Sequence, residues 1–168
     1  MIKLYAQPYD ISARGFYFGT AEEYDARAAK NRNDWGGIVE EYEIQFIDGD
    51  DLDAELFRAL SVHQGSFARF LDACDEWDEQ DKIKVILAVG EAGYKFDLAT
   101  DAPGDIDVDI YECDNLRDLA RQFVDEGLFG DIPARIQNYV DYDAIAYELC
   151  MEYSEITLAN KRYVHRCG

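Results

Sequence analysis

The side chains with most chemistry to offer in this sequence are carboxylates: 36 Asp and Glu stand against 16 Lys and Arg and two His in 168 residues. Carboxylates act as paired general acids and bases, as hard-cation ligands in loops, or as fixed negative charge. The first use needs two groups in a cleft, as in glycoside hydrolysis. Among so many acids some pair always has suitable spacing, so spacing alone selects none. The second use fails on position. Asp105, Asp107 and Asp109 open a DxDxD run, but a calcium loop requires Gly at its sixth place and Glu at its twelfth, and Ile110 and Leu116 stand there. His63 and His165 lie far apart with no HExxH or Cys-His grouping, and phosphate-loop, GxSxG and GxGxxG patterns are absent. His63 reads as an ordinary polar residue near a helix end. No enzyme, metal site or cofactor is expected, which leaves fixed charge.

That charge is large, with a formal net of −20. It exceeds what solubility requires and works against compactness through self-repulsion. Disordered chains carry such charge but are poor in aromatics, whereas this one is 14% aromatic and 48% hydrophobic, with three Pro. It reads as folded and acidic. Residues 1–62 hold 13 acids and 6 bases, residues 63–105 hold 10 and 4, and residues 106–168 hold 13 and 6, so no third is spared. A uniformly acidic surface repels nucleic acid and anionic lipid. Neither direct nucleic-acid binding nor membrane association is expected, and the partner should be cationic. Cys74, Cys113, Cys150 and Cys167 form no CxxC pair, no signal sequence precedes MIKLYAQ, and no apolar run approaches ~18 residues. These point to free thiols in a cytoplasmic protein, with Cys74 and Cys150, on or beside apolar helix stripes, as inert packing residues.

The elements that must position the charge follow from periodicity. IKLYA and GFYFGT predict two paired strands. Thr20 caps a helix with Glu22 and Glu23 in its first turn and Arg27 and Lys30 near its end, and Val39 to Ile47 returns as a strand. Leu52, Leu56 and Leu60 predict a helix capped by Asp50 or Asp51. A second helix over Phe67 to Glu79 sets Phe67, Phe70, Leu71, Cys74 and Trp77 on one face and Asp72, Asp75, Glu76 and Glu79 on the other. Between strand and helix, residues 82–100 are read as helix. After a turn at Pro103, IDVDIYE alternates, with Ile106, Val108 and Ile110 inward and Asp105, Asp107 and Asp109 outward, about 7 Å apart. Asp114 or Asn115 caps a helix with Leu116, Leu119, Ala120, Phe123 and Val124 inside and Asp114, Asp118 and Asp125 outside, ended by Gly127 and Gly130. The last helix has Tyr142, Ile145, Ala146, Leu149 and Tyr153 as its stripe, with Asp141, Glu148 and Glu152 in a row beside it; EITLA and RYVHRC close the chain as strands.

Like charges at i,i+3 and i,i+4 cost a helix roughly 0.2–0.5 kcal/mol per pair. Their repetition with few bases nearby implies a purpose outside folding. On the Phe67 helix four carboxylates, from Asp72 to Glu79, span seven residue steps or about 10.5 Å, one charge per ~2.6 Å. Duplex DNA carries one per ~1.7 Å of axis and a single strand one per ~3.4 Å. Such a face falls in the range of a nucleic-acid backbone.

The stretch GDIPARIQNYVDYDAIAYEL resembles the C-terminal segment of the ArdA antirestriction proteins, in which a Gly-x-x-Pro turn, a Tyr-x-Asp-Tyr run and a short amphipathic helix follow one another. Upstream, IDVDIYECDNLRDLARQFVDEGLFG resembles the strand, capped helix and turn before that segment, and EEYEIQFIDGDD resembles an N-terminal strand of the family. The likeness is good from Ile106 onward, patchy in the first 60 residues and poor between. It implies an elongated α+β chain of three small domains: a β-β-α-β unit over 1–62, a mainly helical middle over 63–105, and an α+β unit over 106–168. It further implies a homodimer joined near the Gly-x-x-Pro turn, with Phe129, Ile132, Pro133, Ile136 and Tyr139 as the contact surface. The function it implies is DNA mimicry: acidic faces occupying the DNA groove of a type I restriction-modification enzyme. The competing reading is an acidic adaptor or chaperone that masks another basic DNA-binding or nucleoid protein. An acidic hydrolase would need a cleft that the sequence does not reveal.

Overall fold

The computed structural model describes residues 1–168 and is α+β, with two three-stranded antiparallel sheets. The chain divides into two compact units, Met1–Ile106 and Asp107–Gly168. In the first, β1 (Lys3–Pro8) is the central strand between β2 (Phe16–Phe18) and β3 (Tyr42–Asp48). The expected β-β-α-β order is present, with α1 (Ala21–Ala28) between β2 and β3. Thr20 caps α1 by accepting from the Glu23 N–H, and the Glu23 carboxylate reaches back to the Gly19 N–H at 2.8 Å. Alternation puts Leu4 and Ala6 of β1 and Tyr42 and Ile44 of β3 in the core.

The expected break at 62/63 falls inside this first unit, and residues 63–105 do not separate. Helices α2 (Asp51–Ala59), α3 (Phe67–Glu76) and α4 (Glu79–Val85), the last prolonged by a π-helical turn Ile86–Glu91, share their core with the sheet. Phe67 of α3 meets Phe18 and Tyr24 at ring-centroid distances of 5.2 and 4.5 Å, and Phe70 meets Phe46 and Phe57 at 6.5 and 5.3 Å. Such ring pairs bury large apolar faces and seat α3 on the sheet. Lys82 of α4 adds an ion pair to Asp53 of α2 at 2.7 Å and donates to the Cys74 carbonyl at 2.9 Å. The helix expected over 82–100 holds as far as Glu91, with Ile83, Ile86 and Leu87 buried as its stripe requires.

In the second unit β6 (Lys161–Cys167) lies between β4 (Val108–Glu112) and β5 (Ser154–Leu158). The helix α5 (Leu116–Asp125) is capped by Asn115, whose side chain accepts from the Asp118 N–H, and it buries Leu119, Ala120, Phe123 and Val124. Leu119 and Phe123 form the core with Tyr153 and Val164. Gly127 takes a left-handed conformation at φ 77°, and its N–H and that of Leu128 bond back to Val124 and Phe123. This is a Schellman ending, which a residue with a Cβ adopts only at a cost. The helix α6 (Tyr142–Leu149) packs on α5 but fully buries none of its own residues. No helix of either unit is long and apolar enough to cross a membrane.

Candidate functional site

The acidic face of α3 is shorter than its sequence pattern. The helix ends at Glu76 because Trp77 turns extended, at ψ 137°, and Asp78 starts a new helix by accepting from the Asp81 N–H. Glu79 therefore stands on α4, and α3 presents Asp72, Asp75 and Glu76, all exposed and without an ion pair. Asp72 and Asp75 line a groove of about 840 Å³ together with Glu22, Glu23 and Asp48. Its apolar lining comes from Ile2, Phe18, Ala68 and Leu71, and its two basic residues are Lys3, lying over the Tyr17 ring, and Arg27.

Three elements thus bring five carboxylates to one concavity: α1 supplies Glu22 and Glu23, the end of β3 supplies Asp48, and α3 supplies the rest. The Phe18–Phe67 and Tyr24–Phe67 contacts that seat α3 beside α1 set this convergence. Glu22 and Glu23 are held at the α1 N-terminus. Hydrogen bonds from its own N–H and from Thr20 keep the Glu22 carboxyl below its ordinary range, so it stays charged in mild acid. Sequence patterning missed Glu22, Glu23 and Asp48 as members of this site, because helix-end charges are explained locally by the dipole. No sequence signal pairs them with Asp72.

The strand row expected at Asp105, Asp107 and Asp109 does not form. Pro103 opens a 3-10 turn that includes Asp105, the Ile106 N–H bonds to the Pro103 carbonyl, and the ladder begins at Val108 opposite Cys167. Asp105 and Asp107 also belong to different units. Asp109 is on β4 as expected, yet it is neutralised: Arg166 of β6, its direct cross-strand neighbour, bonds it at 2.6 and 3.0 Å. Arg166 also reaches Glu152 at 3.2 Å and lies over the Tyr153 ring, and the two carboxylates raise its pKa.

The other expected rows are likewise thinned by local duties. Asp141 caps α6, accepting from the N–H groups of Asp143 and Ala144, and Glu152 lies beyond the helix end at Leu149. The row Asp141, Glu148, Glu152 is thereby reduced to Glu148. On α5, Asp118 is half-buried in the first turn, Asp125 is exposed at the end, and Asp114 lies before the cap. Asp114, Asp125 and Glu148 are exposed and make no ion pair.

The residues expected at a dimer surface are open to solvent. Phe129 is 54%, Ile136 47% and Tyr139 85% exposed, Pro133 is exposed, and Ile132 is half-buried. Leu128, at the start of the same segment, is exposed too, and Tyr147 and Met151 are exposed in the same unit and were not anticipated. Cys150 corrects the reading of it as a packing residue: helix α6 turns it outward, where its thiol donates to the Tyr147 carbonyl at 2.9 Å. Cys74 is half-buried, and burial followed by the Asp53 charge pushes its thiol pKa up. His63 is exposed beside α3 and accepts from the Gly65 N–H, while His165 is buried in β6. No grouping of three His, Cys, Asp or Glu has the arrangement to hold a metal ion.

No protein-family model matches the chain, and no curated protein matches it.

Proposed function

We propose that this protein is a non-enzymatic DNA mimic of the ArdA type, binding the DNA groove of a type I restriction-modification enzyme and blocking cleavage. The observation that carries the reading is α3 and its groove. Even without Glu79, Asp72, Asp75 and Glu76 place three unpaired charges over five residues. That is about one per 2 Å over four steps of ~1.5 Å, still between duplex and single-stranded DNA. Asp72 and Asp75 continue into Glu22, Glu23 and Asp48 across a concavity with an apolar floor. Basic side chains of a target would find charge for their heads and apolar surface for their stems there.

Such a protein competes by mass action. Lys and Arg in a DNA groove gain affinity by displacing counterions from phosphates, and a rigid carboxylate array offers a similar gain with no DNA to bend. The working form is a homodimer, with the exposed Phe129, Pro133, Ile136 and Tyr139 as the contact. Protection of unmodified DNA from a type I enzyme tests the reading. Protection should be stoichiometric, and Asp72→Asn, Asp75→Asn and Glu76→Gln together should raise the concentration for half-protection by at least about tenfold, at roughly one counterion contact per lost charge. Protection by catalytic amounts of the protein would rule mimicry out.

A further inference from the structure

The same unit holds a feature that acidity does not explain. A second concavity, of about 560 Å³, is lined by Arg14, Gly15, Phe16, Glu23, Ala26, Arg27, Lys30 and Asn31. Glu23, Ala26, Arg27 and Lys30 follow helical spacing, so one wall is a single side of α1 and the turn after it. The opposite wall is the lead into β2, Arg14 to Phe16. Asn31 ties the walls together, its side-chain amide donating to the Arg14 carbonyl at 3.0 Å and to the Tyr42 hydroxyl at 3.0 Å. Gly15 fixes the second wall, because a Cβ there would strike the Tyr5 hydroxyl and the Ala6 carbonyl. The cleft is therefore built.

Its three cations are exposed and none forms an ion pair, in a chain where acids outnumber bases 36 to 16. Arg27 also borders the acidic groove, whereas Arg14 and Lys30 line this cleft alone. Glu23, the only acid in the lining, is already engaged by the Gly19 N–H. Capping of α1 does not account for them either: Arg32 covers that end, donating to the carbonyls of Ala29 and Asn31 at 2.9 and 2.8 Å. Two guanidinium forks and an ammonium facing one cleft match the oxygens of a tetrahedral polyanion, which bidentate arginine contacts suit. The half-buried Phe16 ring supplies an apolar side to this shallow, open concavity.

We propose that this cleft binds a small phosphate-bearing anion; it shares Glu23 and Arg27 with the acidic groove, but the proposal does not rest on the DNA-mimic reading. The probe is inorganic pyrophosphate, titrated into the full chain to about 10 mM, where even a millimolar dissociation constant registers. Ionic strength is held near 0.15 M, so that a Debye length of about 8 Å removes most of the repulsion from the rest of the molecule. Amide resonances of Arg14 to Phe16 and of Glu23 to Asn31 should shift in a saturable way. Arg14→Gln and Lys30→Gln should each weaken binding about tenfold, since each removes a charge-assisted contact. Arg58→Gln, whose side chain pairs with Glu55 elsewhere, should leave it unchanged. No saturable shift overturns the proposal, as does equal weakening by Arg58→Gln. A hexaglutamate peptide shifting the same resonances at equal or lower concentration overturns it too, because the cleft would then read carboxylates.

Discussion

At the scale of single residues, Asp53 and Lys82 form the most buried of the ion pairs in the first unit. Their side chains are 8% and 13% exposed and meet at 2.7 Å. Removing one partner of a buried pair strands the other charge, so Asp53→Asn or Lys82→Met should each lower unfolding free energy by about 3–5 kcal/mol. Asp53→Leu with Lys82→Met should recover most of that loss, and denaturant melts of the three variants separate the pair's worth from the stranded-charge penalty. The thiols divide by the same physics. Burial raises the pKa of Cys74 and Cys113, whereas Cys150 is exposed. An aromatic disulfide reagent at mild alkaline pH should label Cys150 in a fast phase that Cys150→Ser abolishes; Cys74 should react only on unfolding. Asp10 carries a further contribution, its pKa lowered by hydrogen bonds from the Ser12 hydroxyl, the Asn33 amide and the Ser12 N–H. A depressed carboxyl stabilises above its unfolded pKa of about 4 and ceases to do so as pH falls through the lower folded value. Asp10→Asn should flatten the acid limb of melting temperature against pH.

Helices and strands were legible where local signals agreed. Thr20 and Asn115 each precede an apolar stripe, and each caps the helix behind it. The α5 ending was equally readable, since Gly127 stands where a left-handed residue is required. Gly127→Ala should cost the second unit about 1 kcal/mol through that strained φ. Asn115→Ala should cost about 1 kcal/mol by orphaning the Asp118 N–H. Thermal melts of the two single variants and their combination should show near-additive losses, because the two positions sit at opposite ends of α5 and share no partner. Legibility failed at long range. The break after Glu76 depends on Trp77 turning to meet Phe96 at 5.9 Å, a contact absent from any 3.6-residue pattern. The neutralisation of Asp109 depends on β6 arriving from the far end of the chain with Arg166 opposite it. Glu79 and Asp109 left their rows for reasons of this kind, Asp105, Asp141 and Glu152 for the local turn, cap and helix end, whereas Asp72 and Asp75 gained neighbours no pattern had joined to them.

For the whole molecule the governing quantity is the net charge of −20. Moderate salt should raise the melting temperature by screening self-repulsion and should weaken target binding by reducing counterion release. A complex insensitive to salt would mean that carboxylates do not carry the affinity. The same charge sets the expected assembly. Spaced as in duplex DNA at ~1.7 Å per charge, −20 represents only about 34 Å of helix axis, a short piece of the path through a multisubunit enzyme. Two copies represent about 68 Å. The segment from Leu128 to Tyr139 is suited to join them, because its only ionised side chains are Asp131 and Arg135 while Phe129, Ile136 and Tyr139 face solvent. A twofold axis there makes one patch complementary to itself. Replacing Phe129 and Ile136 together by Asp should therefore give monomers in sedimentation at micromolar concentration, with folding intact because both are exposed. Dimers that persist in this variant would move the interface to another surface, and a monomeric wild type would remove the second copy from the mechanism. If the monomeric variant still protects DNA, at a concentration raised by a fixed factor, the target reads local charge density. If protection is lost altogether, it reads the full length of the array.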